Sequence, residues 1–169
     1  MEQLSTVPFD RLLTDPALQV FPTTIASTEN YGPDSLIIRV DGGYIDGSVY
    51  EQPSEGYIAE PAFLAVSDEG HGKGSYLLGV FAREVALRGA DKLLTDVRNP
   101  QVMRICIRIF KASNIKLRGG VESFSSNDEG YADYLVQLSK EGNALIEIDL
   151  TAPEVQAGLF APDIPNIEH

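Results

Sequence analysis

The chain has 169 residues, 43% of them hydrophobic and 22% charged. That is the length of one domain with its own core and an ordinary globular mix, so bulk disorder is excluded. Its net charge of −12, from 13 basic and 25 acidic residues, excludes a general nucleic-acid binder, because phosphate contacts need clustered Lys and Arg. One cysteine and two histidines exclude a disulfide framework and a Cys- or His-rich metal site, no run approaches the roughly 20 apolar residues of a membrane span, and Met1-Glu2 opens no signal peptide, so a cytoplasmic protein is expected.

The first 35 residues read as irregular, punctuated by Pro8, Pro16, Pro22 and Pro33, with one short helix over residues 8–20. From Ser35 the texture changes. Leu36-Ile37-Ile38-Arg39-Val40 is a strand, Asp41-Gly42-Gly43 has hairpin chemistry, and residues 44–50 are the return strand. After a polar loop, residues 57–66 form a longer strand interrupted near Pro61. Its end, Phe63-Leu64-Ala65-Val66, is continuously apolar, as expected of a central strand buried on both faces.

A glycine-rich loop, residues 67–74, leads into a helix over 75–87, with Leu78, Phe81 and Val85 on one face and Gly89 as its stop. Residues 92–97 form a short strand. Asn99-Pro100 is a cap and first position for a second amphipathic helix carrying Val102, Ile105, Cys106, Ile109 and Phe110 on its apolar stripe. Residues 131–138 and 144–150 read as two more strands. Residues 151–169, with three prolines and no base, read as an acidic tail or arm. The expected architecture is an α/β fold of mixed sheet, six or seven strands, with residues 1–150 as the domain and 151–169 as the arm. Strands 57–66 and 92–97 are expected to be parallel and joined by helix 75–87 in a right-handed crossover.

Charge is unevenly placed along this order. Residues 1–62 hold 2 bases and 10 acids, residues 63–118 hold 10 bases and 5 acids, and residues 119–169 hold 1 base and 10 acids. The basic third is either a pair of solvated helix faces or a local anion site inside an acidic shell. Arg104, Arg108 and Lys111 belong to both readings.

The chemistry concentrates in Val66-Ser67-Asp68-Glu69-Gly70-His71-Gly72-Lys73-Gly74-Ser75. Glycines let a backbone approach a ligand, and a helix start offers unpaired N–H groups to an anion. A P-loop fails here, because Ser67 stands at its first glycine and Gly74 follows Lys73. The dinucleotide pattern fails at Ser75. The plain alternative is a flexible strand–helix connection.

This strand, loop with Gly72-Lys73-Gly74, helix, Gly89, strand and Asn99 resemble the core of the GNAT superfamily of N-acetyltransferases over roughly residues 35–150. The resemblance implies a central twisted mixed sheet flanked by helices, the acyl-CoA N-acyltransferase fold. It also implies acetyl-CoA held with its pyrophosphate on the loop amides, around Val66, Glu69, Gly70, His71, Gly72, Lys73, Gly74, Ser75 and Asn99. The family's Arg/Gln-x-x-Gly-x-Gly/Ala motif fits in two registers. One puts Glu69 at the basic position and Gly72 and Gly74 at the small ones. The other puts His71 at the basic position, then Gly74 and Tyr76. No metal is implied.

Glu60 is the residue that the resemblance marks as general base, since an ammonium must lose a proton before its nitrogen attacks a thioester. The plainer reading is a solvated carboxylate at a strand bend beside Pro61. Family members often carry a tyrosine in the helix after the Asn, whose hydroxyl protonates the departing thiolate. Phe110 stands there and has no proton to give, so Tyr131 or Tyr134 would have to substitute, against a packing role. Cys106 reads as core. Two functions follow. One is transfer of acetyl from acetyl-CoA to a primary amine, cationic because the shell is acidic, such as a polyamine, a basic antibiotic or a protein lysine. The other is a catalytically weak or inactive protein of the same fold with a binding or structural role in a homo-oligomer or a larger assembly such as a virus particle, docked through the arm.

Overall fold

The computed structural model describes residues 2–5, 23–28, 35–67, 72–118 and 129–160. Eight strands form one sheet: β1 (Glu2–Ser5), β2 (Thr23–Thr28), β3 (Ser35–Val40), β4 (Gly43–Gln52), β5 (Gly56–Val66), β6 (Lys92–Val97), β7 (Ile115–Leu117) and β8 (Ala144–Asp149). Their spatial order is β1-β2-β3-β4-β5-β6-β8-β7. Neighbours are antiparallel except β5 and β6, which are parallel. The parallel pair is joined by helix α1 (Lys73–Leu87), because parallel strands need a crossover rather than a hairpin. Helices α2 (Pro100–Phe110), α3 (Tyr131–Lys140) and α4 (Pro153–Leu159) complete the α/β architecture, a mixed sheet flanked by helices.

The strand alternation decides which face of the sheet is the core. On β3, Leu36 and Ile38 are fully buried, whereas Ile37 and Arg39 are half-buried and exposed. Across the β3–β4 ladder Ile38 faces Ile45 and across β6–β8 Leu93 faces Ile148, and all four have no exposure. Helix α1 lays Leu77, Phe81 and Val85 against this face, each such side chain contributing about 1.5–3 kcal/mol of hydrophobic burial. It stops where expected. Gly89 has φ +95, and its N–H and that of Ala90 close on Ala86 and Val85 carbonyls at 3.1 and 2.9 Å, which is the glycine-terminated cap that a Cβ would strain.

Five expectations are corrected. Residues 131–140 are helical rather than a strand, because Tyr131, Leu135 and Ser139 are the buried positions, a spacing of four that fits one helix face and not an alternating strand. Residues 153–159 are a helix packed on the core through Val155 and Leu159, not part of a free arm. Strands β1 and β2 occupy a segment read as irregular, and β7 was not anticipated. The apolar end of β5 is not buried on both faces. Phe63 is 58% exposed and Ala65 is exposed as well. The helix expected over residues 8–20 and the last nine residues of the arm lie outside the described residues. No helix among the described residues is long and apolar enough to cross a membrane.

Candidate functional site

Strand β5 is eleven residues long but runs beside β6 for only two, Ile58 opposite Lys92 and Ala59 opposite Leu93. From there β6 continues against β8 alone, and β5 continues against β4 alone. The two parallel strands therefore fork after Ala59. Among the described residues, no strand pairs the far edge of β5 over residues 60–66. Backbone N–H and C=O groups on such an edge need partners, and an extended ligand can supply them.

The fork is accompanied by a bulge. The β4–β5 register shifts between Asp46 and Gly47, with Gly47 opposite Pro61 and Asp46 opposite Phe63, so Ala62 is the extra residue. Bulges bend a strand and end regular pairing. This one is held from below by Asp46, 5% exposed, whose Oδ1 accepts the Phe63 N–H at 3.1 Å. Gly47 is required here. A Cβ would lie 2.5 Å from the Glu60 carbonyl oxygen and 2.8 Å from Phe81 Cζ. The proline at 61, an expected interruption, sits at the bulge where a missing N–H is tolerated.

Beyond β5 in the chain comes the start of α1. Gly72 is the N-cap residue, with φ 80 and ψ 2, and no side chain caps the helix. Its carbonyl accepts the first helical bond from the Tyr76 N–H at 3.0 Å. The following N–H groups at Lys73, Gly74 and Ser75 belong to the first turn, where the helix dipole favours an anion, and that turn contains no acidic residue. Gly74 allows the helix to approach its neighbours: a Cβ would meet Ile105 Cδ1 at 3.0 Å and Val66 Cγ2 at 3.9 Å. Thus Gly74, the last residue of β5 and the middle of α2 converge. The Lys73 ammonium lies over the β3–β4 turn, where a Cβ on Gly42 would stand 3.0 Å from Nζ. Ser67 closes the same corner, its N–H and hydroxyl both donating to the Gly42 carbonyl, at 2.8 and 3.0 Å. Glu69, Gly70 and His71 lie outside the described residues, so both motif registers stand.

Asn99 caps α2 as expected. Its Oδ1 accepts the Gln101 N–H at 2.8 Å, with Pro100 at the first helical position. Glu60 is exposed and is the first β5 residue beyond the last β5–β6 pair. Its Oε2 accepts the Tyr50 hydroxyl proton at 2.8 Å. Tyr50 is pushed up to about 12, by burial first and then by the Glu60 carboxylate, so it remains a donor at any neutral pH.

The tyrosine named as a stand-in acid is placed differently. Tyr131 is 4% exposed and its hydroxyl donates to the Ile115 carbonyl at 2.6 Å, which commits the proton a thiolate would need. Phe110 is buried on the α2 stripe with Met103, Cys106 and Ile109, as the periodicity predicts. Burial pushes the Cys106 thiol up to about 12, the state of an inert core cysteine. Arg104 and Arg108 on α2 and Lys111 just after it are exposed.

Three residues of the site escaped the sequence. Asp46, Tyr50 and Phe63 share one sheet face with Glu60, opposite the helices. The signal that would have found them is register: once the Asp41-Gly42-Gly43 turn pairs β3 with β4, the alternation puts residues 46, 48 and 50 on one face, away from the core.

No protein-family model matches the chain, and no curated protein matches it in sequence. Among solved structures, the chain is similar to a protein of Desulfovibrio desulfuricans described as an acetyltransferase of the GNAT family, at 13% identity and a TM-score of 0.44, over 89% of this chain and 99% of that one. It is similar to a protein of Klebsiella pneumoniae described as an acyl-CoA N-acyltransferase, at 14% identity and a TM-score of 0.42, over 69% and 71%. The catalytic domain of the Tetrahymena GCN5 histone acetyltransferase, in complex with coenzyme A, is similar at 18% identity and a TM-score of 0.38, over 86% and 82%.

Proposed function

We propose that the chain is an acetyl-CoA-dependent N-acetyltransferase of the GNAT type, acting on a primary amine. The observation that carries this reading is the fork: two shared pairs between β5 and β6, then a β5 edge that no strand covers among the described residues, followed in the chain by a helix start without an acid or a side-chain cap. A thioester with a long pantetheine-like arm matches that shape. Its amides can pair with the β5 edge, and its pyrophosphate can rest on the N–H groups after Gly72. This agrees with the resemblance carried by Gly72-Lys73-Gly74, Gly89 and Asn99.

In this reading, acetyl-CoA is the cofactor and supplies the activated acetyl group. A backbone N–H near Val66 polarises the thioester oxygen. Glu60 takes the proton from the incoming ammonium, directly or through a water. The acceptor is cationic, since Glu60 and Asp46 lie on one face of an acidic protein and attract positive charge. Residues around Glu69 to Ser75 and Asn99 hold the cofactor. The compartment that suits a chain with one reduced, buried cysteine is the cytoplasm.

A second reading has an observation of its own. Phe110 has no hydroxyl and that of Tyr131 is spent on Ile115, so neither supplies the thiolate's proton; the other candidate, Tyr134, is half-buried on α3. A thiol has an ordinary pKa of roughly 8–9 and leaves tolerably without one, so the enzyme reading predicts slow turnover. The alternative is a protein of this fold with a binding role in an assembly, docked through residues beyond 160.

Isothermal titration with acetyl-CoA, followed by thiol release against polyamines, basic antibiotics and lysine peptides, decides between them. Binding and turnover support the enzyme. Binding without turnover supports the second reading, and no binding overturns the cofactor site. Gly72→Val should abolish binding while the protein stays folded, because a β-branched residue at φ 80 displaces the helix start at a cost of about 1–3 kcal/mol.

A further inference from the structure

Tyr50 has no role in the proposal above, and nothing in the sequence singled it out. It lies on β4 opposite Ile58, and Glu60 lies on β5 opposite Ser48. The two side chains are therefore diagonal neighbours on one face of the sheet, a separation that aromatic and long side chains bridge.

The neighbours of this pair decide what it is for. Arg118, just after β7, is close enough to Tyr50 to act on its ionisation, as is Glu55. Yet Arg118 is ion-paired to Glu55 and stands 3.8 Å from Glu147, and Lys92 stands 3.4 Å from Glu55 and 3.8 Å from Glu147. Those two cations and two carboxylates satisfy one another. Among the described residues Glu60 has no ion-pair partner; its one polar contact is the Tyr50 hydroxyl. An exposed glutamate held by a neutral donor, with its charge uncompensated, stands at the residue where β5 leaves β6.

We infer that Tyr50 is a positioning residue for Glu60: its hydroxyl fixes one carboxylate oxygen and turns the other toward the mouth of the fork, where a cationic amine would present its proton. The inference rests on the acetyltransferase reading and deepens it. A glutamate free to rotate spends most of its time aimed elsewhere, and the entropy of stopping it is met here by a phenol packed on the neighbouring strand. The donor must keep its proton at working pH, and burial together with the Glu60 charge ensures that.

The test has two independent parts on the full chain. The first is a pH titration followed by 13Cζ-tyrosine NMR, with the Tyr50 signal assigned by its loss in Tyr50→Phe. Glu60→Gln, at an exposed position where substitution should leave the fold intact, should lower the Tyr50 midpoint, since a negative acceptor has been removed. An unchanged midpoint means the two groups are not coupled and overturns the inference. The second part is kinetic. Tyr50→Phe should lower kcat about tenfold, a fraction of the roughly 10²–10⁴-fold that a positioned base supplies, with KM for acetyl-CoA unchanged. In the Glu60→Gln background the same substitution should cost nothing further. A wild type that turns over, with a Tyr50→Phe variant that turns over equally well, overturns the positioning role and leaves the acetyltransferase standing. A wild type that neither binds acetyl-CoA nor releases thiol overturns both.

Discussion

The two halves of β5 differ more from each other than most strands differ within a sheet. Residues 56–59 have β4 on one side and reach β6 on the other, and Ile58 and Ala59 are 1% and 0% exposed. Among the described residues, 60–66 pair with β4 alone, and they carry an exposed glutamate and a phenylalanine, Phe63, that is 58% exposed. Apart from Pro61, which has no N–H, each residue of either half carries one backbone donor and one acceptor. In the first half this capacity is used within the sheet, which makes that half rigid. In the second, apart from the Phe63 N–H held by Asp46, no strand among the described residues takes it up on the side away from β4. A site built this way has a stiff floor next to a free rail, and Glu60 stands at the junction.

The sharpest way to break this contrast is Ile58→Ala. Ile58 is buried on the face away from the helices and apart from the main hydrophobic cluster, so its loss leaves a hole the helices cannot fill. The expected cost is about 2–5 kcal/mol, read from urea midpoints. A cost below 1 kcal/mol would mean that the closed half is not rigid. Gly47→Val attacks the junction itself. Its Cβ would press on the Glu60 carbonyl and Phe81, and overpacking of this kind costs about 1–3 kcal/mol. The bulge should shift with it, so acetyl-CoA affinity should fall even in the fraction that remains folded.

How much of this contrast is legible without coordinates is instructive. The hairpin of β3 and β4, the crossover from β5 through α1 to β6, the Gly89 stop and the Asn99 cap follow from alternation, helical period and capping chemistry, all of which act over a few residues. The fork does not. Phe63-Leu64-Ala65-Val66 has the composition of a strand covered on both faces, but Leu64 and Val66 pack on the core while Phe63 and Ala65 lie on the face away from the helices and are exposed, and the edge is bared because β6 leaves β5 to pair with the distant β8. Helix α3 was hidden by its β-formers, Tyr131, Tyr134 and Val136, whose local preference yields to the packing of Tyr131 and Leu135 against α2 and β8. Helix α4 has only Val155 and Leu159 as buried anchors, too few for a period, and Pro153 at its start was the available clue. The Asn99 cap was legible because capping is local; the loop candidates rest on an equally local pattern of glycines at a helix start, part of which lies outside the described residues. Tyr50 was not legible, because its meaning depends on register.

A smaller effect separates the halves by pH. The Tyr50 pKa is raised above its ordinary 10.0, by burial and by Glu60, to about 12. A group whose folded pKa is raised contributes stability that is complete below the unfolded value and is lost as pH climbs through the folded one. Unfolding midpoints should therefore fall between about pH 10 and pH 12, and Tyr50→Phe should flatten part of that fall. A variant with the wild-type slope across this window would show that Tyr50 titrates as freely in the folded protein as in the unfolded chain.

The smallest effect belongs to Phe63. It lies three residues past Glu60, at the bulge, with its N–H held by Asp46 and its ring mostly in solvent at 58% exposure. Its backbone contributes to the fold, but its side chain has little to lose on truncation. Phe63→Ala should change stability by no more than about 0.5 kcal/mol, an order of magnitude less than the upper bound for Ile58→Ala on the same strand and the same face. What the ring can do is meet an acceptor, because an exposed aromatic face beside a carboxylate suits an alkyl ammonium, at about 0.5–1 kcal/mol for an exposed cation–π contact. The substitution should therefore raise KM for an amine acceptor two- to fivefold, about what that contact energy gives, with KM for acetyl-CoA unaffected. If Phe63→Ala instead destabilises the protein as strongly as Ile58→Ala, the ring is a packing residue, the outer half of β5 is covered, and the contrast between the two halves fails where it matters for access to Glu60.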